Sequence, residues 1–191
     1  MILRSGALVA ALWAGAASAH ITPPVVLIPE RDALATQLAG AKKLSLREAS
    51  LTADERKAVQ STYGWRASDD VHNIYMGRDD AGKLQSASVF MSEATMHGMI
   101  RVAVGFTPDG RVKGADVVEV SEEIHAHMKP LMDRGFTKRY AGLGLDSKFE
   151  APAAGGAGAD AMGQHYDSIV SRMVQRAVIL YNVLVTKRGV N

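Results

Sequence analysis

The sequence predicts an α+β fold: a central antiparallel sheet flanked by N-terminal helices and a long C-terminal helix. Three observations predict it. Four β-like runs follow one another between positions 71 and 120. A signalled helix start, Thr52-Ala53-Asp54-Glu55, precedes them, and an apolar stripe at helical spacing follows them. Helices and strands are therefore segregated along the chain rather than alternating, which is the α+β pattern. The length of 191 residues suits one domain with a real core.

The first nineteen residues read as a cleavable secretory leader. Arg4 supplies the positive start, Ala7 to Ala16 the apolar run, and Ala17-Ser18-Ala19 the small residues before cleavage. A run of about ten residues is half of what a bilayer span needs. Cleavage would leave a chain starting at His20, exported to the periplasm or beyond. No later stretch reads as long and apolar enough to span a bilayer, so no membrane span is expected after cleavage.

The elements are read in order. Residues 20–44 form an entry segment and a first helix, Glu30 to Lys43, with Leu34, Leu38 and Ala41 at helical spacing. Residues 45–191 form the main domain. Its first helix starts with a capping box, in which Thr52 caps the backbone and Glu55 reaches back, and it should end at Gly64. The strands are Val71 to Gly77, Leu84 to Met91, Met99 to Thr107 and Arg111 to Val120. Asp80-Ala81-Gly82-Lys83 turns the first pair, and Pro108-Asp109-Gly110 turns the last. Ile100, Val102, Val104 and Phe106 alternate, which predicts one buried face. Glu122 to Asp133 reads as a helix that holds Pro130, and Phe136 to Tyr140 as a short piece after it. Ala151 to Gly163 is rich in Ala and Gly and reads as a flexible loop. The last helix is expected from Asp167 to Thr186, with Ile169, Met173, Val174, Ala177, Val178, Tyr181 and Leu184 packed inward.

Composition excludes several chemistries. There is no cysteine, so thiolate catalysis, Cys-ligated zinc, iron–sulfur clusters and Cys-attached haem are all ruled out. Lys and Arg number 22 against 20 Asp and Glu, a balance that gives no push toward nucleic acid. Gly-x-Ser-x-Gly, His-Glu-x-x-His and Gly-rich phosphate loops do not occur.

The central strands resemble the FMN-binding domain family, which includes the periplasmic flavin subunits of the Rnf and sodium-pumping quinone reductase complexes. The matching pieces are Gly82-Lys83-Leu84, the run from Gly98 to Gly114, and Asp116 to Glu122. Phe136-Thr137-Lys138-Arg139-Tyr140-Ala141-Gly142 and Leu51-Thr52-Ala53-Asp54-Glu55-Arg56 complete the series. The resemblance covers roughly residues 45 to 186 and rests on the order of the pieces. It implies a periplasmic electron carrier more than a stand-alone catalyst, whose partner is a redox protein or a membrane electron-transfer complex.

The family's covalent members carry a Ser/Thr-Gly-Ala-Thr/Ser-x-Ser/Thr motif before the last helix. In the matching window here, Ser168 falls at the flavin-accepting position, His165 and Tyr166 replace Ser/Thr and Gly, and Asp167 replaces Ala. Tyr166 crowds the backbone and Asp167 adds negative charge beside a phosphate. The resemblance therefore implies FMN held without a covalent bond, with attachment at Ser168 as the alternative. By residue, it places the phosphate near Ser168, Ser171 and Arg172, and the ring toward Gly98 and the turn from Glu122 to His127. A helix starting near Ser168 would also favour an anion on physical grounds.

Two other readings come from the residues. A mature His20 would offer an α-amine and an imidazole to Cu(II), with His125 and His127 as further candidate ligands and Met96, His97 and Met128 as soft donors. On a helix, His125 and His127 point about 200° apart and would not share a metal. The degraded motif also fits an interaction module that kept the fold and lost the flavin.

Overall fold

In the computed structural model, residues 23–150 and 160–190 are described. The leader and His20 lie outside them, as do 151–159 of the expected Ala/Gly loop. The strands are β1 (Pro24–Val26), β2 (Lys43–Ala49), β3 (His72–Arg78), β4 (Leu84–Thr95), β5 (Gly98–Phe106) and β6 (Val112–Ser121). The helices are α1 (Glu30–Gln37), α2 (Ala53–Tyr63), α3 (Glu122–Asp133) and α4 (Ala161–Tyr181). A 3₁₀ turn, Phe136–Tyr140, follows α3, and a π turn, Asn182–Thr186, continues α4. All strand pairs are antiparallel, in the order β1-β6-β5-β4-β3-β2. This is the α+β architecture that the sequence predicts.

Local chemistry accounts for the elements. Thr52 Oγ1 accepts the Glu55 N–H while Glu55 accepts the Thr52 N–H, so the α2 capping box is complete. Gly64 ends α2 at φ 68°, a left-handed cap that glycine takes without strain. On β5, Ile100, Val102, Val104 and Phe106 are fully buried toward α4, and Phe106 stacks on Tyr181 at 4.6 Å between ring centroids. The opposite face is covered too, at Ala103, because α1 lies over it. Gln37 pins α1 there: its amide donates to Ala103 O and Asp116 Oδ2 and accepts from Ser88 Oγ.

Three sequence expectations need correction. The first helix ends at Gln37 rather than Lys43, and Lys43–Ala49 is a strand paired residue by residue with β3. Gly40, at φ 92°, lies in the turn between them. β2 is an edge strand exposed at most positions, so it carries no alternation to read. β5 buries the predicted face in full, and its other face is covered at Ala103 and Gly105 but not at Met99, which is exposed. The last helix begins at Ala161, not Asp167, because Asp160 caps it by accepting the Gly163 N–H at 2.6 Å. Finally, Ala161–Thr186 is long and apolar enough to cross a membrane, although 72% of its most apolar window is packed inside the domain.

Candidate functional site

The first turns of α4 carry two polar clusters on different sides. One joins α4 to the 3₁₀ turn. Arg139 donates to both carboxylate oxygens of Asp167, and its Nη2 also reaches Tyr140 Oη at 2.7 Å and Ser171 Oγ at 3.0 Å. Tyr140 Oη and Ser171 Oγ lie 2.9 Å apart, and Ser171 also donates to Asp167 O. Asp167, Tyr140 and Ser171 are all buried. Burial pushes the Tyr140 hydroxyl up to about 12, against the opposing pull of Ser171 and Arg139. A bidentate Arg–carboxylate pair with neutral hydroxyls on its flank is a strong tie between elements far apart in sequence.

The other cluster lies where the β4–β5 hairpin, α3 and α4 meet. Tyr166 is fully buried, with the rings of His97, His127 and His165 around it at centroid distances of 6.5, 6.2 and 5.6 Å. Two hydrogen bonds frame it: His97 Nδ1 to Glu123 Oε1 at 2.7 Å and His127 Nδ1 to Asp160 Oδ2 at 2.8 Å. Burial, with Glu123 and Asp160 nearby, raises the Tyr166 hydroxyl above its ordinary value. The Gly163 N–H and then His127 hold the Asp160 carboxyl below its own. The Tyr166 hydroxyl is buried with no hydrogen-bond partner. Such an atom is expensive to leave unpaired, which makes it the chemical singularity of this region.

The residues singled out from sequence fall in several places. Gly98 sits at the hairpin with φ 119°, and a Cβ there would lie 2.0 Å from Ser121 Oγ. Its bareness is used by Ser121, which accepts the Met99 N–H. Glu122 opens α3 and is exposed, while its neighbour Glu123 makes the contact to His97. Ser168 lies inside α4, where it donates to Gln164 O at 3.0 Å, so it is not at the helix start. Ser171 belongs to the Arg139 cluster. Arg172 is exposed one turn beyond Ser168 on the same helix face, and no ion pair engages it among the described residues. His125 and His127 face different neighbours. His125 lines a cavity of about 270 Å³ with Leu27, Asp116 and Phe136, whereas His127 pairs with Asp160. Among the described residues, no group of three or more His, Asp or Glu is placed to hold a metal.

Sequence reasoning missed Arg139, Tyr140, Asp160 and the burial of Tyr166, and it did not pair His97 with Glu123. Arg139 and Tyr140 did stand in a quoted family segment, but their contact with α4 spans 28 residues or more and leaves no local trace. The chain was compared with protein-family models and with curated proteins; no family model matches it, and no curated protein does.

Proposed function

We propose that this chain is an exported, FMN-binding electron-transfer domain that holds its flavin without a covalent bond. The observation that carries the reading is the meeting of three segments at one end of the sheet: the Gly98 hairpin, the start of α3 and the start of α4. These are the segments that the family resemblance assigns to the flavin, and a buried, unpartnered tyrosine hydroxyl lies among them. Ser168 and the unpaired Arg172 share an exposed face of α4 and would hold the phosphate. Half-buried His97 and His127 and exposed His165 are the groups that the ring would meet. Bound flavin would supply the redox chemistry, and the protein would bind, orient and tune it. The start of α4 is already capped by the Asp160 carboxylate, so the side chains carry the phosphate in this reading, not the helix terminus.

A second reading, a flavin-free interaction module, is favoured by one observation. The altered motif positions, Tyr166 and Asp167, are buried and built into the packing.

The test is the absorbance spectrum of the protein purified from its native compartment, followed by titration with FMN. The expected result is flavin absorbance that is released on denaturation, with Arg172→Gln weakening binding by about tenfold, the equivalent of one charge-assisted hydrogen bond. A protein that stays colourless with excess FMN and gives no binding signal removes the flavin reading and leaves the interaction module.

A further inference from the structure

The outer edge of β6 is covered at both ends and open between them. β1 pairs with β6 only from Glu119 to Ser121, and the Leu27 and Ile28 N–H groups then donate to Val118 O. At the far end, Val112 donates to Leu143 O and accepts from the Gly142 N–H. The stretch between, 113–117, receives no backbone hydrogen bond on its outer side among the described residues. At ~3.4 Å per residue it runs for about 17 Å.

A groove follows this open stretch. Its wider part is a cavity of about 470 Å³ walled by four consecutive residues, Lys113 to Asp116. Consecutive strand residues point to opposite faces, so a space that touches all four runs along the edge of the strand. The other walls agree. Gln37 belongs to α1, which covers the Ala103 face of the sheet, while Thr137 and Lys138 belong to the 3₁₀ turn that Arg139 ties to α4 on the opposite face. The narrower part, about 270 Å³, shares Asp116, Met132 and Thr137 and continues past Val117 to Leu27. The two ends differ in chemistry. At the wide end Lys113 and Lys138 are exposed; Lys138 has no ion pair among the described residues, and Lys113 Nζ donates to Gln37 O at 3.0 Å. The one acidic residue on that wall, Asp116, accepts from Gln37 Nε2 at 3.2 Å. At the narrow end Leu27, Met132 and Phe136 form an apolar wall, and Lys129 is paired with Asp133 at 2.8 Å.

We propose that the open edge of β6 binds an extended peptide of a partner protein, which adds a strand in line with β1. The peptide presents an acidic side chain to Lys113 and Lys138 and an apolar one to Leu27 and Phe136. An unpaired strand edge is a template for another chain. In strand addition, main-chain hydrogen bonds supply affinity, and pockets for alternate side chains supply specificity. Both parts are present here: open backbone along 113–117, with a cationic pocket at one end and an apolar pocket at the other. β2 is a free edge too, but its Leu44 and Leu46 stand exposed. Lys113, Lys138 and the backbone of 113–117 take no part in the flavin reading, so either proposal can fail alone.

The test is an NMR titration of the whole protein with three synthetic peptides, each acetylated and amidated. The first alternates valine and threonine, with glutamates at one end and leucine at the other. The second has lysines for the glutamates. The third is the glutamate peptide with its backbone nitrogens methylated, which keeps the side chains and removes the main-chain donors. The glutamate peptide should shift the amides of 113–117 and slow their exchange with solvent. The lysine and N-methylated peptides should each bind about tenfold more weakly or worse, as loss of charge-assisted or main-chain hydrogen bonds requires. Lys138→Glu, at an exposed position without an ion pair, should keep the fold and reverse the preference between the glutamate and lysine peptides. Equal binding of the N-methylated peptide would mean an anion site without strand addition and overturns the proposal. So does the absence of binding by the glutamate peptide at millimolar concentration, or shifts centred on β2.

Discussion

Two sides of α4, one residue apart in sequence, solve the burial of polar groups in opposite ways. On the Asp167–Ser171 side, carboxylate, guanidinium and both hydroxyls bond to one another, and only Arg139 Nε is left over. On the Tyr166 side, imidazoles and carboxylates pair around the rim while the central hydroxyl bonds to nothing. A satisfied buried network specifies structure. An unsatisfied one carries a standing cost that selection for stability alone would remove, by a change as small as Tyr to Phe. The difference separates a lock from a candidate site, although the two are built on the adjacent residues Tyr166 and Asp167. Asp167 is a structural anion for Arg139, so the charge that would repel a phosphate is already neutralised within the protein.

The comparison can be broken most sharply at Asp167. Asp167→Ala leaves Arg139 without its counter-ion in a mostly buried position. Loss of one partner of a buried pair costs about 3–5 kcal/mol, and the 26% exposure of the Arg139 side chain puts the expected loss near the lower end. Denaturant unfolding measures it. A loss below about 1 kcal/mol would mean that Arg139 is effectively solvated and that the lock is not structural.

Alkaline pH tests the same side more gently. Folded Tyr140 titrates at about 12, against an ordinary value of 10. Between these values the folded state keeps a proton that the unfolded state has released, so stability falls as pH rises. The loss is complete once pH has passed the folded value and is on the order of 2–3 kcal/mol. Tyr181 is also pushed up to about 12 by burial and contributes to the slope. Tyr140→Phe should therefore flatten the stability profile above pH 10 in part. An unchanged slope would show that the hydroxyl is not buried in the folded state.

The smallest stability effect is expected on the other side. Tyr166→Phe removes a hydroxyl that bonds to nothing, so stability should stay within about 0.5 kcal/mol or rise. A destabilisation above about 1 kcal/mol would show that the hydroxyl has a partner after all, and the contrast between the two sides would collapse. If the same variant weakens FMN binding while stability holds, the hydroxyl serves the ligand.

Much of the frame was legible locally. Thr52 and Glu55 announced α2, Asp109-Gly110 announced the β5–β6 turn, and the alternation from Ile100 to Phe106 announced the buried strand, because each is fixed by chemistry within a few residues. The site was legible only in outline. Gly98, Glu122 and Ser168 marked segments that do lie near or within the converging elements, but the side chains that make contacts there are His97, Glu123 and Tyr166.

The sequence by itself determined the fold class, the capped second helix and the two turns, since caps, turn residues and apolar period act over short distances. Only the tertiary structure decided the rest. The edge strand β2 exists because β3 offers it hydrogen bonds, not because its own residues alternate. The last helix gains its first six residues from the Asp160 cap, through an Ala-Met-Gly segment whose composition reads as loop. Asp167 reads as an intruding negative charge until Arg139 arrives from 28 residues away. Burial and pairing across such distances depend on where the chain places its elements, and no local pattern encodes them.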